Sequence, residues 1–172
     1  GRMIWTLDLI GHQHYSVLNG GLNAWVADGY CLEDTPPNIT RSNYSLTLAE
    51  PSPAVDLNYL LKNYKNDKII IWDARSEAEY LGQRHTAQKS GHIPGAIHYE
   101  WTRAMNLYQE CRLRPLEDIR QELAQLGIND PEKTIITHCQ THHRSGFTYF
   151  LGKLLGFKKM KAYPGSWAEW GN

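Results

Sequence analysis

The sequence predicts an α/β fold in which helices flank a central, mainly parallel sheet. Two short apolar runs, KIIIWDAR and TIITHC, are typical of strands that are buried on both faces of a parallel sheet. A clear helical pattern, PLEDIRQELAQLG, lies between them, with proline near its start, acidic residues in its first turn and glycine at its end. Strands that alternate with helices in this way indicate layers of helices around a parallel sheet.

Each element from Val55 onward follows from a local pattern of apolar residues. Asp56 is expected to cap a helix that ends near Tyr64, because leucines and Tyr64 share one helical face. The remaining elements are predicted in this order: strand KIIIWDAR, short helix SEAEYLG, a Gly-rich polar connection, strand AIHYEW, helix PLEDIRQELAQLG (Pro115–Gly127), strand TIITHC, helix SGFTYFLGKLLGF, a strand within MKAYPG and a helical turn SWAEW.

An internal repeat predicts a different origin for the N-terminal segment. Shifted by 145 positions, the first 25 residues align with residues 146–170 without a gap, and three glycines, one leucine and one tryptophan are identical. We therefore interpret residues 1–30 as the tail of a first copy, 31–54 as a linker and 55–172 as a complete second copy. The alignment also predicts a strand around Tyr15, Val17 and Leu18.

Composition restricts the classes of function. The 172 residues carry no net formal charge, which gives no argument for nucleic acid or an anionic membrane as a partner. No apolar run reaches the roughly 20 residues that a membrane span requires, and the first residues do not resemble a signal peptide. Three widely spaced cysteines argue against a disulfide framework and favour a reducing, cytoplasmic location.

The segment HCQTHHRSG, His138 to Gly146, carries the chemistry. A buried strand delivers Cys139 to the carboxyl edge of the sheet, where α/β folds place their ligands. The helix that begins near Arg144 or Ser145 points its unpaired N–H groups and its positive dipole end at the thiol. That setting, with Arg144 and any protonated histidine nearby, lowers the pKa of a cysteine. Cys139 is therefore a candidate nucleophile.

Two other interpretations of this segment are weaker. A cysteine at the end of a buried strand is often a small core residue, but core cysteines are not normally followed by six polar residues and a glycine. A metal site would use His138, Cys139, His142 and His143. Adjacent histidines do not easily face one ion, and no second cluster completes four ligands, so we expect neither a metal nor another cofactor.

Several separated stretches resemble the rhodaneses, the thiosulfate:cyanide sulfurtransferases. These stretches are IIIWDARSEAEYLG, GHIPGAIHYEW, THCQTHHRSG and YPGSWAEWGN, and the resemblance spans Val55 to Asn172. SVLNGGLNAW, near the N-terminus, resembles the end of a preceding rhodanese domain. The whole is similar to the C-terminal portion of a tandem, two-domain rhodanese, which implies a rhodanese-like fold and a sulfurtransferase reaction.

The resemblance implies that Cys139 attacks the outer sulfur of thiosulfate, releases sulfite and passes the sulfur from a persulfide to cyanide or another thiophile. Side chains and backbone N–H groups of the loop after the cysteine would bind the donor, namely Gln140, Thr141, His142, His143 and Arg144. Arg84 and Lys89 are further candidates for anion binding. Asp73, Arg75 and Trp167 are expected to be structural residues near the site. The expected partners are thus a small-molecule sulfur donor and acceptor.

Two alternatives to this function remain open. Related cell-cycle phosphatases and arsenate reductases have a cysteine-to-arginine loop one residue longer than the six residues from Cys139 to Arg144. A non-catalytic rhodanese-like binding module would typically lack the cysteine. The chain departs from many rhodaneses at Gln140, where a basic side chain often follows the cysteine, and from some at Glu79, where those members have a substrate-binding arginine. Residues 1–30 are expected to be ordered through docking, self-association or a complementing first-domain polypeptide.

Overall fold

A four-stranded parallel sheet forms the centre of the computed structural model, which describes residues 1–172. The elements in chain order are α1 (Arg2–Leu9), α2 (Gly21–Ala27), α3 (Leu57–Asn63), β1 (Ile69–Asp73), α4 (Glu77–Tyr80), β2 (Ile97–His98), a 3₁₀ turn (Trp101–Ala104), β3 (Met105–Asn106), β4 (Arg112–Leu113), α5 (Leu116–Gln125), β5 (Thr134–His138), α6 (Arg144–Leu154), β6 (Met160–Ala162) and α7 (Ser166–Trp170). The strand order in the main sheet is β2-β1-β5-β6, and β3 and β4 form a separate antiparallel pair.

The two central strands carry apolar side chains on both faces, as their continuous apolar sequences predict. Ile70 of β1 pairs in parallel with Ile135 of β5, and both belong to the core on one side of the sheet. Their neighbours Ile71 and Ile136 belong to the core on the other side. Because successive side chains of a strand point to opposite faces, both faces require a cover of helices. The predicted α/β class with a parallel sheet is confirmed.

The predicted helices are present with small differences at their ends. Asp56 caps α3, and its carboxylate accepts a hydrogen bond from the Tyr59 N–H at 2.7 Å. Pro115 precedes α5, whose buried residues Ile119 and Leu123 lie one turn apart. Ser76 and Glu79 form a reciprocal capping box at α4, so this short helix is stabilised at its start.

Two of the predicted strands differ from the structure. The predicted strand around Tyr15, Val17 and Leu18 is wrong: these residues form no regular structure, because no neighbouring strand offers them a hydrogen-bonding partner. In AIHYEW only Ile97 and His98 pair with β1, after which the chain turns into the 3₁₀ segment. The β3–β4 hairpin was not predicted, since its strands are only two residues long.

Helix α1 packs alongside α6 in the same direction. The helices approach so closely at their starts that a Cβ on Gly146 would lie 2.7 Å from the Arg2 Cα atom. At their ends, Asp8 of α1 forms an ion pair with Lys153 of α6 and accepts a hydrogen bond from the Tyr149 hydroxyl at 2.9 Å. Trp5 is only 8% exposed and belongs to the main core. The N-terminal segment is therefore docked through α1 on the sheet domain.

Candidate active site

The carboxyl edge of the sheet positions Cys139 between a strand and two helices. Cys139 directly follows β5, whose last residue, His138, pairs in register with Asp73 at the end of β1. The start of α7 holds the backbone on one side: the Trp167 N–H donates to the Cys139 carbonyl at 2.9 Å, and the Cys139 N–H donates to the Ser166 hydroxyl at 3.3 Å. Helix α6 begins five residues later with Arg144. The loop between them is thus anchored at both ends.

The surroundings of the Cys139 thiol favour its ionised form. The residue is only 1% exposed. Burial opposes ionisation, but hydrogen bonds from the Ser145 hydroxyl and from the N–H groups of Ser145 and Thr141, with the charge of Arg144, lower the pKa of the Cys139 thiol below its usual value. These donors come from the loop and the first turn of α6, where N–H groups have no partner within the helix. The site can therefore hold a sulfur anion.

Ser145 is a residue that the sequence analysis missed. Its hydroxyl lies 3.4 Å from the Cys139 sulfur and 2.9 Å from Nδ1 of His142, and its side chain is fully buried. Ser145 was predicted only as a possible start of the helix. The signal was its place directly after Arg144, in the first turn of a helix that points at the thiol.

Arg144 lies beside the thiol, but its guanidinium is bound to the Glu79 carboxylate. Its terminal nitrogens donate to the two Glu79 carboxylate oxygens at 2.6 and 2.8 Å. The hydrogen bond from Arg144 holds the pKa of Glu79, which is usually near 4.5, at about 2, although burial opposes this. The charge near the cysteine is thus partly neutralised by a carboxylate from α4.

The Gln140 side chain is tied to a neighbouring loop. Its amide nitrogen donates to the Thr86 carbonyl at 2.9 Å, and its amide oxygen accepts from the Thr86 hydroxyl at 2.7 Å. Thr141, in contrast, is exposed and its hydroxyl forms no hydrogen bond within the chain. Of the loop side chains, Thr141 is therefore the one that is free to meet an incoming molecule.

The two histidines of the loop, His142 and His143, have different surroundings. His142 has a positive φ of 62° and is fully buried, with its ring edge-on to Trp5 at a centroid distance of 4.5 Å. Burial, followed by the charges of Arg2, His143 and the terminal amino group, lowers the pKa of His142 to about 4. His143 is exposed and accepts a hydrogen bond from Arg2 at 2.9 Å. At neutral pH the buried His142 ring is therefore neutral and adds no positive charge beside Cys139.

Asp73, Arg75 and Trp167 form a buried layer beneath the loop. The Arg75 guanidinium donates to the Asp73 carboxylate at 2.6 Å and to the Gly91 carbonyl at 2.8 Å, and it lies 4.3 Å from the Trp167 ring centroid. Burial opposes ionisation of Asp73, but His138 and Arg75 keep the pKa of that carboxyl below its usual value. Burial is the largest influence on His138 and lowers the pKa of its ring, although the neighbouring Asp73 carboxylate opposes this. Trp167 belongs to the core on this side of the sheet.

The remaining candidates lie at the surface. Arg84 and Lys89 are exposed, and neither forms a hydrogen bond or an ion pair with the loop after Cys139. The Lys89 ammonium donates to the Asn172 carbonyl at 3.4 Å. The structure does not bring these two side chains into the site. No group of three histidine, cysteine or acidic side chains lies close enough to share a metal ion.

Other residues that complete the site were also missed by the sequence analysis. Glu79 was noted only as a departure from a pattern, and Thr86 was not singled out. Trp5 and Arg2 reach the loop from a helix that is more than 130 residues away in sequence. Contacts between such distant segments leave no local pattern that a sequence could show.

The chain is similar to proteins of known sequence and structure. The chain is 48% identical over 172 residues to a thiosulfate sulfurtransferase of Pseudomonas aeruginosa and equally similar to one of Azotobacter vinelandii. It is covered completely in both cases but spans only 62% of the length of these relatives. A solved structure of a complex of the EanB Y353A variant with ergothioneine superposes with a TM-score of 0.86 and 26% identity, over 98% of this chain and 42% of that one. Residues 56–172 match the Rhodanese-like domain. The chain therefore belongs to the rhodanese-like family.

Proposed function

We propose that this chain is the catalytic portion of a thiosulfate sulfurtransferase in which Cys139 carries the sulfur. The observation that carries the proposal is the thiol itself: it is buried, has a lowered pKa and faces the N–H groups of the loop and of α6. The identity of 48% with two thiosulfate sulfurtransferases over the whole chain supports the same reaction. Because the chain spans 62% of those proteins, their full activity remains a proposal for it.

The reaction proceeds in two sulfur transfers. In the first, the Cys139 thiolate attacks the outer sulfur of thiosulfate; a new S–S bond forms, the S–S bond of thiosulfate breaks, and sulfite leaves with the electron pair. In the second, cyanide or another thiophile attacks the outer sulfur of the persulfide and restores the thiolate. The total charge is conserved in each step. The donors around Cys139 stabilise negative charge on sulfur before and after transfer.

The side chains of the loop have separate roles in this proposal. In this proposal the backbone N–H groups between Gln140 and Arg144 surround the transferred sulfur. The exposed side chains of Thr141 and His143 and the partly exposed Arg144 bind the dianionic donor. Gln140 acts through the shape of the loop, because its side chain is bound to Thr86. His142 is buried and acts through its contact with Ser145. Asp73, Arg75 and Trp167 support the loop from below. Arg84 and Lys89 attract the anion at longer range.

Loop length favours sulfur transfer over phosphate chemistry. The six residues from Cys139 to Arg144 form a smaller loop than that of the related phosphatases, which leaves less room for a tetrahedral oxyanion. A binding module without catalysis has no need for a thiol of lowered pKa. Neither alternative is favoured by a specific observation.

Mass spectrometry tests the proposal directly. After incubation with thiosulfate, the peptide that contains Cys139 should gain the mass of one sulfur atom, and cyanide should remove it. The Cys139→Ser variant should gain nothing and should lose transfer of sulfur to cyanide. Cys31→Ser and Cys111→Ser are matched controls, because both cysteines are exposed and lie outside the site. Substantial activity in Cys139→Ser, or its loss in Cys111→Ser, would refute the assignment.

We also propose that residues 1–30 belong to a preceding rhodanese-like domain, with 31–54 as linker and 55–172 as the catalytic domain. Helices α1 and α6 end alike: Gly11 and Gly156, 145 positions apart, both have a positive φ. The His12 N–H donates to the Leu7 carbonyl at 2.8 Å, as the equivalent Phe157 N–H does to Gly152 at 3.0 Å. Two helices with the same capping at equivalent positions support a repeat.

The same segment exposes apolar side chains that need a cover. Leu18, Leu22 and Val26 are each at least half exposed, and Trp25 is 36% exposed. We infer that they pack against an earlier part of the first domain, supplied by a separate polypeptide or a longer chain, with self-association as the alternative. Native mass spectrometry of the 172-residue chain should show oligomers or capture of an added first-domain polypeptide. A stable monomer from which protease rapidly removes residues 1–30 would refute this role.

The cellular location is proposed on two observations. None of the helices combines the length and the apolar character that crossing a bilayer demands. All three cysteines are unpaired, which suits a reducing compartment. We propose the cytoplasm, and fractionation of the producing cells with an antibody against the chain tests it.

A further inference from the structure

A chain of three buried side chains leads from Trp5 to the sulfur of Cys139. The His142 ring is held edge-on against Trp5, its Nδ1 lies 2.9 Å from the Ser145 hydroxyl oxygen, and that oxygen lies 3.4 Å from the Cys139 sulfur. His142 and Ser145 are fully buried, and Cys139 is 1% exposed. Water is therefore excluded from these contacts, and the protons must be arranged among His142, Ser145 and Cys139 themselves.

The direction of the two hydrogen bonds follows from the number of protons. A serine hydroxyl has one proton to donate. If Ser145 donates it to the sulfur anion, its oxygen can only accept from His142, which must then carry its proton on Nδ1. The other ring nitrogen, Nε2, is buried without a partner, so Ser145 is the only hydrogen-bond partner of the ring. His142 is neutral at pH 7, since burial above all lowers its pKa to about 4.

We propose that His142 is a positioning residue that fixes the Ser145 hydroxyl as a hydrogen-bond donor to the Cys139 sulfur. Without the Nδ1–H group, the Ser145 hydroxyl is free to turn away from the sulfur, and the sulfur anion loses a donor. The role of His142 is thus to hold a proton on a fixed atom rather than to transfer it. This inference rests on the proposed function only where activity is measured.

The backbone at His142 provides the variants for a test. Its φ of 62° lies in the left-handed region, which glycine adopts freely and asparagine tolerates better than most residues. Asparagine places an amide N–H near the position of Nδ1, whereas glycine provides no donor. His142→Asn and His142→Gly are therefore matched: both fit the backbone, and only the first can still orient Ser145.

The test measures the pKa of Cys139 as the pH dependence of its alkylation by iodoacetamide. The background variant has Cys31→Ser and Cys111→Ser, which leaves Cys139 as the only thiol. Ser145→Ala should raise the thiol pKa by about one unit, the effect of losing one hydrogen bond to a charged group. His142→Gly should raise it by a similar amount, and His142→Asn should keep most of the original value.

A double variant separates this role from a general effect of packing or charge. In the Ser145→Ala background, His142→Gly should cause no further rise in the thiol pKa, because the hydroxyl through which His142 acts is gone. Charged and titratable groups that face the pair stay in place in every variant: Arg144 beside the sulfur, and Arg2, His143 and the terminal amino group beside the His142 ring. Equal shifts with and without the Ser145 hydroxyl would overturn the proposal.

Two further outcomes decide the remaining cases. If His142→Gly does not fold, as judged by circular dichroism, the Ser145→Ala variant still tests the proposal. An unchanged thiol pKa in that variant would show that the Ser145 hydroxyl does not stabilise the sulfur anion, and would overturn it. A pKa of His142→Asn as high as that of Ser145→Ala would likewise overturn the role of the Nδ1–H group. Alkylation requires no sulfur transfer, so these results stand even if the chain shows no activity with thiosulfate. With activity, the acidic limb of the rate profile should move with the thiol pKa.

Discussion

Arg144 and Glu79 form a bidentate ion pair beside the loop that follows Cys139, with nitrogen–oxygen distances of 2.6 and 2.8 Å. Glu79 comes from the first turn of α4, and its carboxylate also accepts from the Ser76 hydroxyl at 2.8 Å. The pair therefore links α4 to the start of α6. Parallel hydrogen bonds of this kind fix the orientation of the guanidinium as well as its position.

The Glu79→Gln variant should lose stability at neutral pH. Because the folded state holds the pKa of Glu79 at about 2, below its usual value, the unfolded state binds the proton first as the pH falls. The stabilisation is therefore complete above about pH 5 and is lost between about pH 5 and 2. We expect a loss of about 2 kcal/mol at pH 7, after allowing for solvent screening at the partly exposed Arg144. Urea unfolding of both proteins at pH 7 and pH 3.5 measures it.

Glu77→Gln is the matched control, because Glu77 lies on the same helical turn but is exposed and forms no ion pair. Its free energy of unfolding should stay within about 0.5 kcal/mol of the original, as for most surface substitutions. Equal losses in both variants would show that the pair with Arg144 contributes nothing beyond the helix N-terminus.

One glycine inserted between His143 and Arg144 should weaken sulfur transfer. The insertion lengthens the loop and displaces both Arg144 and Ser145 from Cys139, whose donors act only in fixed positions. A displacement of about 1 Å can cost roughly 100-fold in rate. The wider loop is expected to admit phosphate or arsenate, so hydrolysis of an aryl phosphate should be measured beside sulfur transfer.

The control for this insertion is one glycine after Tyr108, a residue that is 98% exposed in the β3–β4 turn. That variant should keep its sulfur transfer. Robust phosphatase activity in the unmodified chain would instead favour the phosphatase interpretation of the loop.

The stability of the protein should fall between pH 6.5 and 4 partly because of His142. Its pKa in the folded state is about 4, well below the usual value of 6.5, so the unfolded state binds a proton in this range and the folded state does not. Stability contributed by the neutral ring is thus present at higher pH and is lost as the pH falls. The difference amounts to about 3 kcal/mol at most. Urea unfolding at pH 7 and pH 4.5 should show a smaller loss in His142→Asn.

His14→Asn serves as the control for this pH dependence, because His14 is exposed and distant in sequence from the loop. The free energy of unfolding of this variant should change with pH as it does in the original protein. The unfolding free energy of His142→Asn should still fall somewhat with falling pH, since burial also lowers the pKa of His138. Identical slopes in all three proteins would contradict the buried, neutral state of His142.

The sequence predicted the parts of this fold that depend on local patterns. The strands β1 and β5 and the helices α3 and α5 each carry their own signal. Burial on both faces of a strand leaves a continuous apolar run, and burial on one face of a helix leaves a helical period. Strand β2 was predicted too long, because only two of its residues find a partner strand. The predicted strand near Val17 has no partner at all.

The sequence predicted Cys139 and the loop after it, but not the side chains from other elements that surround this loop. Cys139 and the loop after it stand in one stretch of sequence, so strand, thiol and helix could be inferred together. The side chains that decide the charge of the loop come from elsewhere: Glu79 from α4 neutralises Arg144, and Trp5 from α1 covers His142. Such pairings depend on tertiary packing, which residue spacing does not encode.

The last prediction concerns Trp5, through which the N-terminal segment reaches the loop. Trp5 is 8% exposed, its indole N–H donates to the Pro53 carbonyl at 3.4 Å, and its ring meets His142 at 4.5 Å. Trp5→Ala should cost about 3–5 kcal/mol of unfolding free energy, the usual range for removing a buried aromatic ring. It should also let water reach His142, whose pKa should then rise from about 4 toward 6.5. Trp25→Ala, in the same segment but 36% exposed, should cost less and leave the pKa of His142 unchanged. Chemical denaturation and histidine titration by NMR measure both effects. If Trp5→Ala and Trp25→Ala behave alike, α1 does not shield the loop, and the buried state of His142 must have another cause.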